Sequence, residues 1–266
     1  MKKLILCGVV ALTTVLSYEY VNASNEVNST NTIVKTDSLF QPIGVEGYIS
    51  KVYNQIAFGN NKLDSGIFQK AYYGYLNLRN TGQLSNDKEI LTVCDFSKSS
   101  TQKRLWVIDL KAKKVLINDY VAHGQGSGDE YATAFSNTSN SHETSLGFYV
   151  TADTYTGKHG TSLRMRGMDK GFNDAAYDRA VVVHGANYVS EDFIAGQKKL
   201  GRSWGCPAVS NAIAGTLINT IKEGTVLFIY APKKEYLQTA YWLNKKLEQV
   251  PGNNNPQPVV SRDNQI

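Results

Sequence analysis

Two residues of this chain have side chains suited to covalent chemistry on a carbonyl group, and they lie close together in the sequence. His184 follows an apolar, β-branched run at 181–183, and Cys206 lies between Gly205 and Pro207. A cysteine attacks a carbonyl carbon as the thiolate, so it needs a nearby base and hydrogen-bond donors for the oxyanion that forms. His184 can supply the base. The pair therefore predicts a thiol-nucleophile site.

The residues around this pair predict how the chain positions it. The run at 181–183 is typical of a buried strand, which would hold His184 at a strand end on rigid scaffold. Gly205 allows the backbone to bend close to a ligand, and Pro207 has no N–H, so the amides of Gly205 and Cys206 are the predicted oxyanion donors. The alternative is structural, because small buried cysteines and strand-end histidines with core hydrogen bonds are common.

A longer set of motifs resembles one enzyme family. The pair HG at 184–185 followed by SWGC at 203–206 is similar to the signature of the L,D-transpeptidases of peptidoglycan (YkuD-like), above all the branch described as murein L,D-transpeptidase catalytic-domain proteins. The resemblance runs from about residue 39 to residue 232 and includes 121–124, 135–137, 145–147, 157–160 and 162–164. It implies a β-rich α+β fold, in which a β-sandwich or barrel catalytic domain follows an N-terminal helical extension.

The resemblance also implies a reaction and the residues that carry it. Cys206 would be the nucleophile and His184 its base, and the backbone carbonyl of Gly185 would hold the imidazole tautomer in the role of a triad's third member. Cys206 would attack the carbonyl of the third residue of a peptidoglycan stem peptide, release the terminal D-alanine and form a thioester. An amine of a second stem would resolve the thioester as a 3→3 cross-link. A thiol mechanism of this kind needs no metal or organic cofactor.

The chain departs from the mainstream family immediately after the nucleophile. In that family an arginine follows Gly-Cys and an aliphatic residue, whereas here Cys206 is followed by Pro207-Ala208. Arg202 and Arg164 are predicted to bind a stem-peptide carboxylate instead, because guanidinium groups pair with carboxylates through two parallel hydrogen bonds. The alternative for both is an exposed surface position.

Four more residues are predicted to contact substrate or to support the groups that do. His159 and Ser162 belong to a glycine-rich, polar segment at 155–167, which favours a loop over a core strand. The resemblance places that segment beside the catalytic groove. Ser203 and Trp204 precede the nucleophile and are expected to line the approach to it. The alternative for His159 is a turn residue without a role.

The remaining histidines and the second internal cysteine receive structural interpretations. His123 follows a strand-like segment and is expected to pack near the site, and His142 lies in a polar stretch and is expected to be exposed. Cys94 lies in the strand-like segment 89–96 and is expected to be a small buried residue. A disulfide between Cys94 and Cys206 would abolish the nucleophile, so the thiol state of Cys206 tests the hypothesis.

Other functions are compatible with the same residues. If the acceptor site is defective, water would resolve the thioester and the enzyme would be an L,D-carboxypeptidase. A non-catalytic wall-binding protein is a second alternative, which the intact His184, Gly205 and Cys206 disfavour. A zinc hydrolase is a third, with His123, His159, His184 and Cys206 as ligands, but the chain has no HExxH or CxxC motif to support a metal.

The N-terminus predicts export to the periplasm or cell envelope. A basic start, a short apolar stretch at 4–18 and small residues before position 24 are typical of a secretory signal peptide at 1–23. The apolar stretch is short for a bilayer span, so no transmembrane segment is expected after cleavage. The formal net charge is +5, and +4 without residues 1–23, a mild positive excess that suits an anionic envelope. Because basic residues are dispersed and no nucleic-acid motif is present, nucleic acid is not an expected partner.

The length predicts one substantial domain with extensions at both ends. A flexible lead-in is expected at 24–38, an N-terminal helical extension at 39–88, the catalytic domain at 89–232, and a C-terminal helix with a disordered tail at 233–266. Hydrophobic periodicity predicts helices at 45–58, 65–78, 211–222 and 234–247. It predicts strands at 89–96, 104–110, 114–121, 146–152, 180–184 and 225–230.

Overall fold

The computed structural model describes residues 44–247 and 250–251. Six α-helices are found in these residues: α1 Val45–Gln55, α2 Ser65–Asn80, α3 Glu191–Gln197, α4 Asn211–Ile221, α5 Lys234–Thr239 and α6 Tyr241–Asn244. The strands there are β1 Ile90–Asp95, β2 Leu105–Asp109, β3 Lys114–Asp119, β4 Gly147–Gly157, β5 Gly160–Gly167, β6 Val182–Ala186, β7 Ala208–Ser210 and β8 Val226–Tyr230. The predicted signal peptide, the lead-in and most of the predicted C-terminal tail lie outside the described residues.

The eight strands form one mixed sheet in the order β3-β2-β1-β8-β4-β5-β6-β7. The β1–β8 and β6–β7 pairs are parallel, and the other neighbours are antiparallel. Every residue of β1 and of β8 is buried, as expected for strands covered on both faces, whose sequences are continuous apolar runs. With its helices, the sheet confirms the predicted β-rich α+β fold.

Two helices precede the sheet, as the sequence predicts. The first turn of α2 is capped by Asp64, whose side-chain oxygen accepts a hydrogen bond from the amide of Ile67 at 2.9 Å. The helix packs closely on β4, because a Cβ on Gly74 would lie only 2.0 Å from the Cζ atom of Phe148. The helix α1 buries Ile49 and Val52. Both predicted helical stretches are therefore present, and Asp64 caps the second.

The glycine-rich segment 155–167 is not the predicted loop. It continues β4 and contains β5, and the two strands pair from Tyr149↔Gly167 to Gly157↔Gly160, so that only residues 158–159 form the turn. The prediction relied on glycine content and overlooked the alternation within β5, where Leu163 and Met165 are buried. This hairpin projects toward the cavity described below.

The C-terminal helix predicted at 234–247 is two short helices. Ala240, with φ −62° and ψ 126°, breaks the helical conformation between α5 and α6. The second helix is held by Trp242, whose Nε1 donates to the carbonyl of Met168 at 2.7 Å. Helix α3 and strand β7 were not predicted, since both are short. Within the described ranges, none of the helices combines the length and apolar character that a membrane span requires.

Candidate active site

Parallel pairing of β6 and β7 brings His184 next to the turn that carries Cys206. The register places His184 opposite Ala208, two residues after the cysteine. The sulfur of Cys206 accepts a hydrogen bond from the amide of Val182 at 3.4 Å, and the thiol faces the carbonyl of Ala180 at 3.9 Å. The sulfur therefore has a backbone acceptor for its proton and a backbone donor for its negative charge.

His184 is held in one tautomer by the main chain. Its side chain is buried, and Nδ1 lies 2.9 Å from the carbonyl oxygen of Gly185. Because a carbonyl only accepts, Nδ1 carries the proton and the lone pair remains on Nε2, the nitrogen available as a base. Close packing fixes this arrangement, since a Cβ on Gly185 would lie 2.5 Å from the Oδ1 atom of Asn211 in α4.

Burial disfavours the charged form of both groups. Burial lowers the pKa of His184, with the neighbouring charges of His159 and Lys158 acting in the same direction. Burial raises the pKa of the Cys206 thiol, although the Val182 amide and the positive charge of Arg179 oppose that shift. A neutral thiol beside a neutral imidazole requires proton transfer as the sulfur attacks, which is general-base catalysis.

The turn at 203–206 is ordered by Ser203. Its hydroxyl donates to the carbonyl of Cys206 at 2.6 Å and accepts from the amide of Gly205 at 3.1 Å. Ser203 is 5% exposed, so its hydrogen bonds stabilise the turn at 203–206, here called the nucleophile turn, from its buried side. The predicted oxyanion donor at Gly205 is thus engaged with Ser203, while the amide of Cys206 lies next to its own sulfur and lowers the pKa of the thiol.

A cavity of about 580 Å³ opens above the sulfur and the imidazole. It is lined by Ser139, Asn140, His142, Tyr155, Lys158, His159, Ser162, Asp178, Arg179, Ala180, Val182, His184, Tyr188, Arg202, Ser203, Trp204 and Cys206. The cavity brings together all of the predicted catalytic and substrate-contacting side chains except Arg164.

The hairpin turn supplies one wall of this cavity. The ring of His159 stacks on that of His184, with centroids 4.4 Å apart and planes 26° apart. Its neighbour Lys158 lies over the ring of Trp204, with Nζ 5.7 Å from the centroid. Ser162 is buried and donates to the carbonyl of Gly160 at 3.3 Å. His159 is therefore in contact with the candidate base.

The two arginines predicted to bind a carboxylate already have protein partners. Arg202 lines the cavity, but its Nη1 donates to the carbonyl of Gly128 at 2.9 Å and pairs with Asp129 at 3.2 Å. Arg164 pairs with Asp153 and does not line the cavity. Its guanidinium instead covers the ring of Tyr155, at 4.4 Å.

Sequence reasoning missed two cavity residues that matter. His142, expected to be exposed, is half-buried and stacks on Trp204 with ring centroids 4.7 Å apart. Arg179 reaches the nucleophile turn from the segment before β6. Its bonding partners lie more than thirty positions earlier in the chain, so no local pattern identifies it; the one available signal was a basic residue directly before the strand that carries His184.

The zinc alternative is not supported by the placement of its proposed ligands. His123 does not line the cavity; it is buried beside the turn that carries Cys206, where its carbonyl accepts from the amide of Ser203 at 3.0 Å and its Nδ1 accepts a hydrogen bond from Arg104 at 2.8 Å. Burial and the charge of Arg104 lower the pKa of His123 to about 4. In residues 44–247 and 250–251, no three His, Cys, Asp or Glu side chains converge as a metal site would require.

Cys94 and Cys206 are both free thiols. Cys94 lies in the fully buried strand β1, and burial raises its pKa to about 12. A thiol with that pKa is almost entirely protonated at neutral pH and does not react readily. Cys206 is half-buried and lines the cavity, so of the two thiols it is the accessible one.

The chain belongs to the L,D-transpeptidase catalytic domain family, whose model matches residues 59–230. The match begins ahead of α2 and ends with β8. It includes the nucleophile turn and both strands that flank it. No curated protein matches the chain.

Several solved structures resemble this chain at low sequence identity. An L,D-transpeptidase from Mycobacterium smegmatis shares 15% identity over 54% of this chain and 59% of its own, with a TM-score of 0.34. An L,D-transpeptidase from Xylanimonas cellulosilytica shares 15% sequence identity over 70% of this chain and 92% of its own, with a TM-score of 0.31. The helical cell shape determining protein Pgp2 from Campylobacter jejuni shares 13% sequence identity over 62% of this chain and 57% of its own, with a TM-score of 0.34. At these TM-scores, the family assignment rests on the sequence match.

Proposed function

We propose that this protein is an exported peptidoglycan L,D-transpeptidase that forms 3→3 cross-links through a thioester on Cys206. The observation that carries the proposal is that the side chains of Cys206 and His184 line one cavity and that main-chain groups orient both of them. The sulfur of Cys206 has an N–H donor, His184 presents Nε2, and the carbonyl of Gly185 orients the imidazole. Membership of the L,D-transpeptidase family supplies the substrate class, peptidoglycan stem peptides, and the cell envelope as the site of action.

The proposed first half-reaction forms the thioester. The sulfur attacks the carbonyl carbon of the third stem residue while Nε2 of His184 takes the thiol proton. The carbonyl oxygen becomes an oxyanion, which the amide of Cys206 stabilises, joined by that of Gly205 when its bond to Ser203 opens. The intermediate then collapses, the C–N bond breaks, and the leaving D-alanine amine takes the proton from His184. The product is a thioester on Cys206.

The second half-reaction decides the product. An amine from a second stem attacks the thioester carbon, and His184 accepts a proton from that amine. Collapse of the intermediate breaks the C–S bond, and the proton returns to the sulfur. If water attacks instead, the same steps release a tripeptide and the enzyme is an L,D-carboxypeptidase.

Mass spectrometry of muropeptides tests the proposal. The protein without residues 1–23 is incubated with purified disaccharide-tetrapeptide, alongside Cys206→Ala and, as a matched control, Cys94→Ala. Dimers that have lost one alanine are expected with the wild type and with Cys94→Ala, but not with Cys206→Ala. If the wild type produces tripeptide but no dimers, the enzyme is an L,D-carboxypeptidase and not a transpeptidase. Unchanged substrate under reducing conditions would contradict both activities.

A further inference from the structure

Arg179 is the best-connected side chain at the cavity that the proposed reaction does not use. Its Nη1 donates to the carbonyl of Ser136 at 2.9 Å and to the hydroxyl of Ser145. Its Nη2 donates to the hydroxyl of Ser141 at 3.2 Å and to the carbonyl of Glu143 at 3.0 Å. All four Nη hydrogens have protein acceptors, so this guanidinium is not a free fork for a substrate carboxylate.

The segment that Arg179 holds packs directly on the nucleophile turn. A Cβ on Gly205 would lie 2.7 Å from the Glu143 carbonyl oxygen, the atom that also accepts from Nη2 of the arginine. Thr144 donates its hydroxyl to the carbonyl of Gly205 at 3.0 Å, and His142 stacks on Trp204. Residues 142–144 therefore contact the turn through a ring, a carbonyl and a hydroxyl.

The charge of Arg179 is not neutralised nearby. Its acceptors are two carbonyls and two hydroxyls, and in the described part of the chain no carboxylate lies within ion-pair distance of it. Its Nη2 is 3.6 Å from the position of a Cβ on Gly205, the residue before the nucleophile. An unpaired cation in a partly buried cavity interacts strongly with a nearby anion. The anions that form there are the thiolate and the oxyanion.

We propose that Arg179 is a positioning residue, which fixes residues 142–144 against Gly205 and places its positive charge beside the sulfur of Cys206. The inference rests on Cys206 being the nucleophile of the proposed function. The arginine contributes in two separable ways, because its fork geometry orders the segment and its charge favours the thiolate. A lysine would retain the charge and lose the fork, and a glutamine would lose the charge.

The test measures alkylation of Cys206 by iodoacetamide as a function of pH, read by mass spectrometry of the peptide that contains it. The comparison includes the wild type, Arg179→Gln, Arg179→Lys and, as a control at an exposed position, Arg166→Gln. Circular dichroism checks that each variant is folded to the same extent as the wild type. Glutamine is expected to lower the alkylation rate at pH 7 about tenfold and to move the profile to higher pH, because loss of the cation disfavours the thiolate, which is the form that reacts. Lysine and the control are expected to stay within about twofold of wild type.

The outcomes separate this inference from the proposed function. An unchanged alkylation profile in folded Arg179→Gln overturns the role of the charge. If the glutamine variant does not fold, Arg179→Lys decides: a profile like wild type supports the proposal and a tenfold loss overturns it. A second reading is turnover on tetrapeptide, where lysine is expected to lose activity because the segment is no longer held. A wild type without turnover on tetrapeptide would refute the transpeptidase, whereas the alkylation profiles would still decide whether the charge of Arg179 favours the Cys206 thiolate.

Discussion

At the scale of single residues, Gly205 has the most demanding backbone in the nucleophile turn. Its φ of 116° is one that other residues rarely adopt, and a Cβ there would collide with the carbonyl of Glu143 at 2.7 Å. We expect Gly205→Ala to reduce turnover more than about a hundredfold, because the turn must shift to relieve the contact and a small displacement of reacting groups has an effect of that order. Steady-state kinetics and Cys206 alkylation measure the loss.

The matched control for that substitution is Gly171→Ala. Gly171 also has a positive φ, 82°, but no atom lies within 4 Å of its Cβ position. The control is expected to cost about 1 kcal/mol of unfolding free energy from backbone strain and to leave turnover unchanged. Equal loss of activity in both variants would show that the carbonyl contact is not what makes Gly205 necessary.

The pH profile of turnover is a second prediction at this scale. Burial moves the pKa of His184 below its ordinary 6.5 and the pKa of Cys206 above its ordinary 9.0. Since the base must be neutral, activity is expected to persist below pH 6.5 and to fall only as His184 becomes protonated. The thiol remains protonated up to alkaline pH, so the plateau is broad. An acid limb at or above pH 6.5 in kcat/KM would contradict this picture.

How much of the site the sequence predicts depends on where each residue's partners lie. The motifs around His184 and Cys206 are local in sequence, which is why these two residues could be selected from it; the structure places both side chains at one cavity, and their catalytic roles stay a prediction. Arg179 and His142 contact segments far away in the chain, and apart from the position of Arg179 directly before a predicted strand no local pattern indicates their role. Arg164 was selected for its type alone, and its pairing with Asp153 depends on strand register that composition does not reveal.

At the scale of elements, the β4–β5 hairpin forms one wall of the cavity and contacts the candidate base His184. Its turn places His159 on the ring of His184. We expect His159→Ala to raise KM about three- to tenfold with kcat within about twofold, because a ring that lines the cavity contributes mainly to binding. Thr161→Ala, an exposed position on the same hairpin, is the control and is expected to behave as wild type. A fall in kcat without a change in KM would contradict a binding role.

The same hairpin shows why element prediction from this sequence was incomplete. Strands β1, β2 and β8 are apolar runs, and their positions agree with the predicted segments within one or two residues. Strand β5 alternates in burial but has glycine at both ends, so composition favoured a loop. The segment forms a strand because it pairs with β4 on one side and with β6 on the other. These pairings depend on the tertiary fold, so the sequence of the segment alone does not predict them.

At the scale of the whole molecule, helix α2 is tied to the sheet through Gly74. A Cβ there would lie 2.0 Å from Phe148, in a core without free space. We expect Gly74→Ala to lower the free energy of unfolding by about 1–3 kcal/mol through overpacking. Urea denaturation measures this free energy.

The control is Gly215→Ala in α4, where no atom lies within 4 Å of the Cβ position, and it is expected to stabilise the protein by about 0.5–1 kcal/mol. If Gly74→Ala also stabilised the protein, α2 would not be tightly packed on the sheet.

This packing bears on where the catalytic domain begins. The predicted boundary between a helical extension and the catalytic domain lies at residue 89 and stays a prediction. The family match begins at residue 59, which places α2 inside the matched region. Contact between Gly74 and Phe148 gives a physical reason for that, because the helix covers a face of the sheet that would otherwise expose apolar side chains to water.

The carbonyl of Gly185 has a consequence for how this chain tolerates change. Where a carboxylate orients a catalytic histidine, one nucleotide change can delete it; here the orienting oxygen belongs to the peptide chain, and every amino acid at position 185 carries one. Substitution there acts by crowding Asn211, not by removing the orienting group. If the proposed mechanism holds, a mutational scan is expected to find two indispensable side chains, those of Cys206 and His184, because no substitution can remove the third group, the carbonyl at position 185.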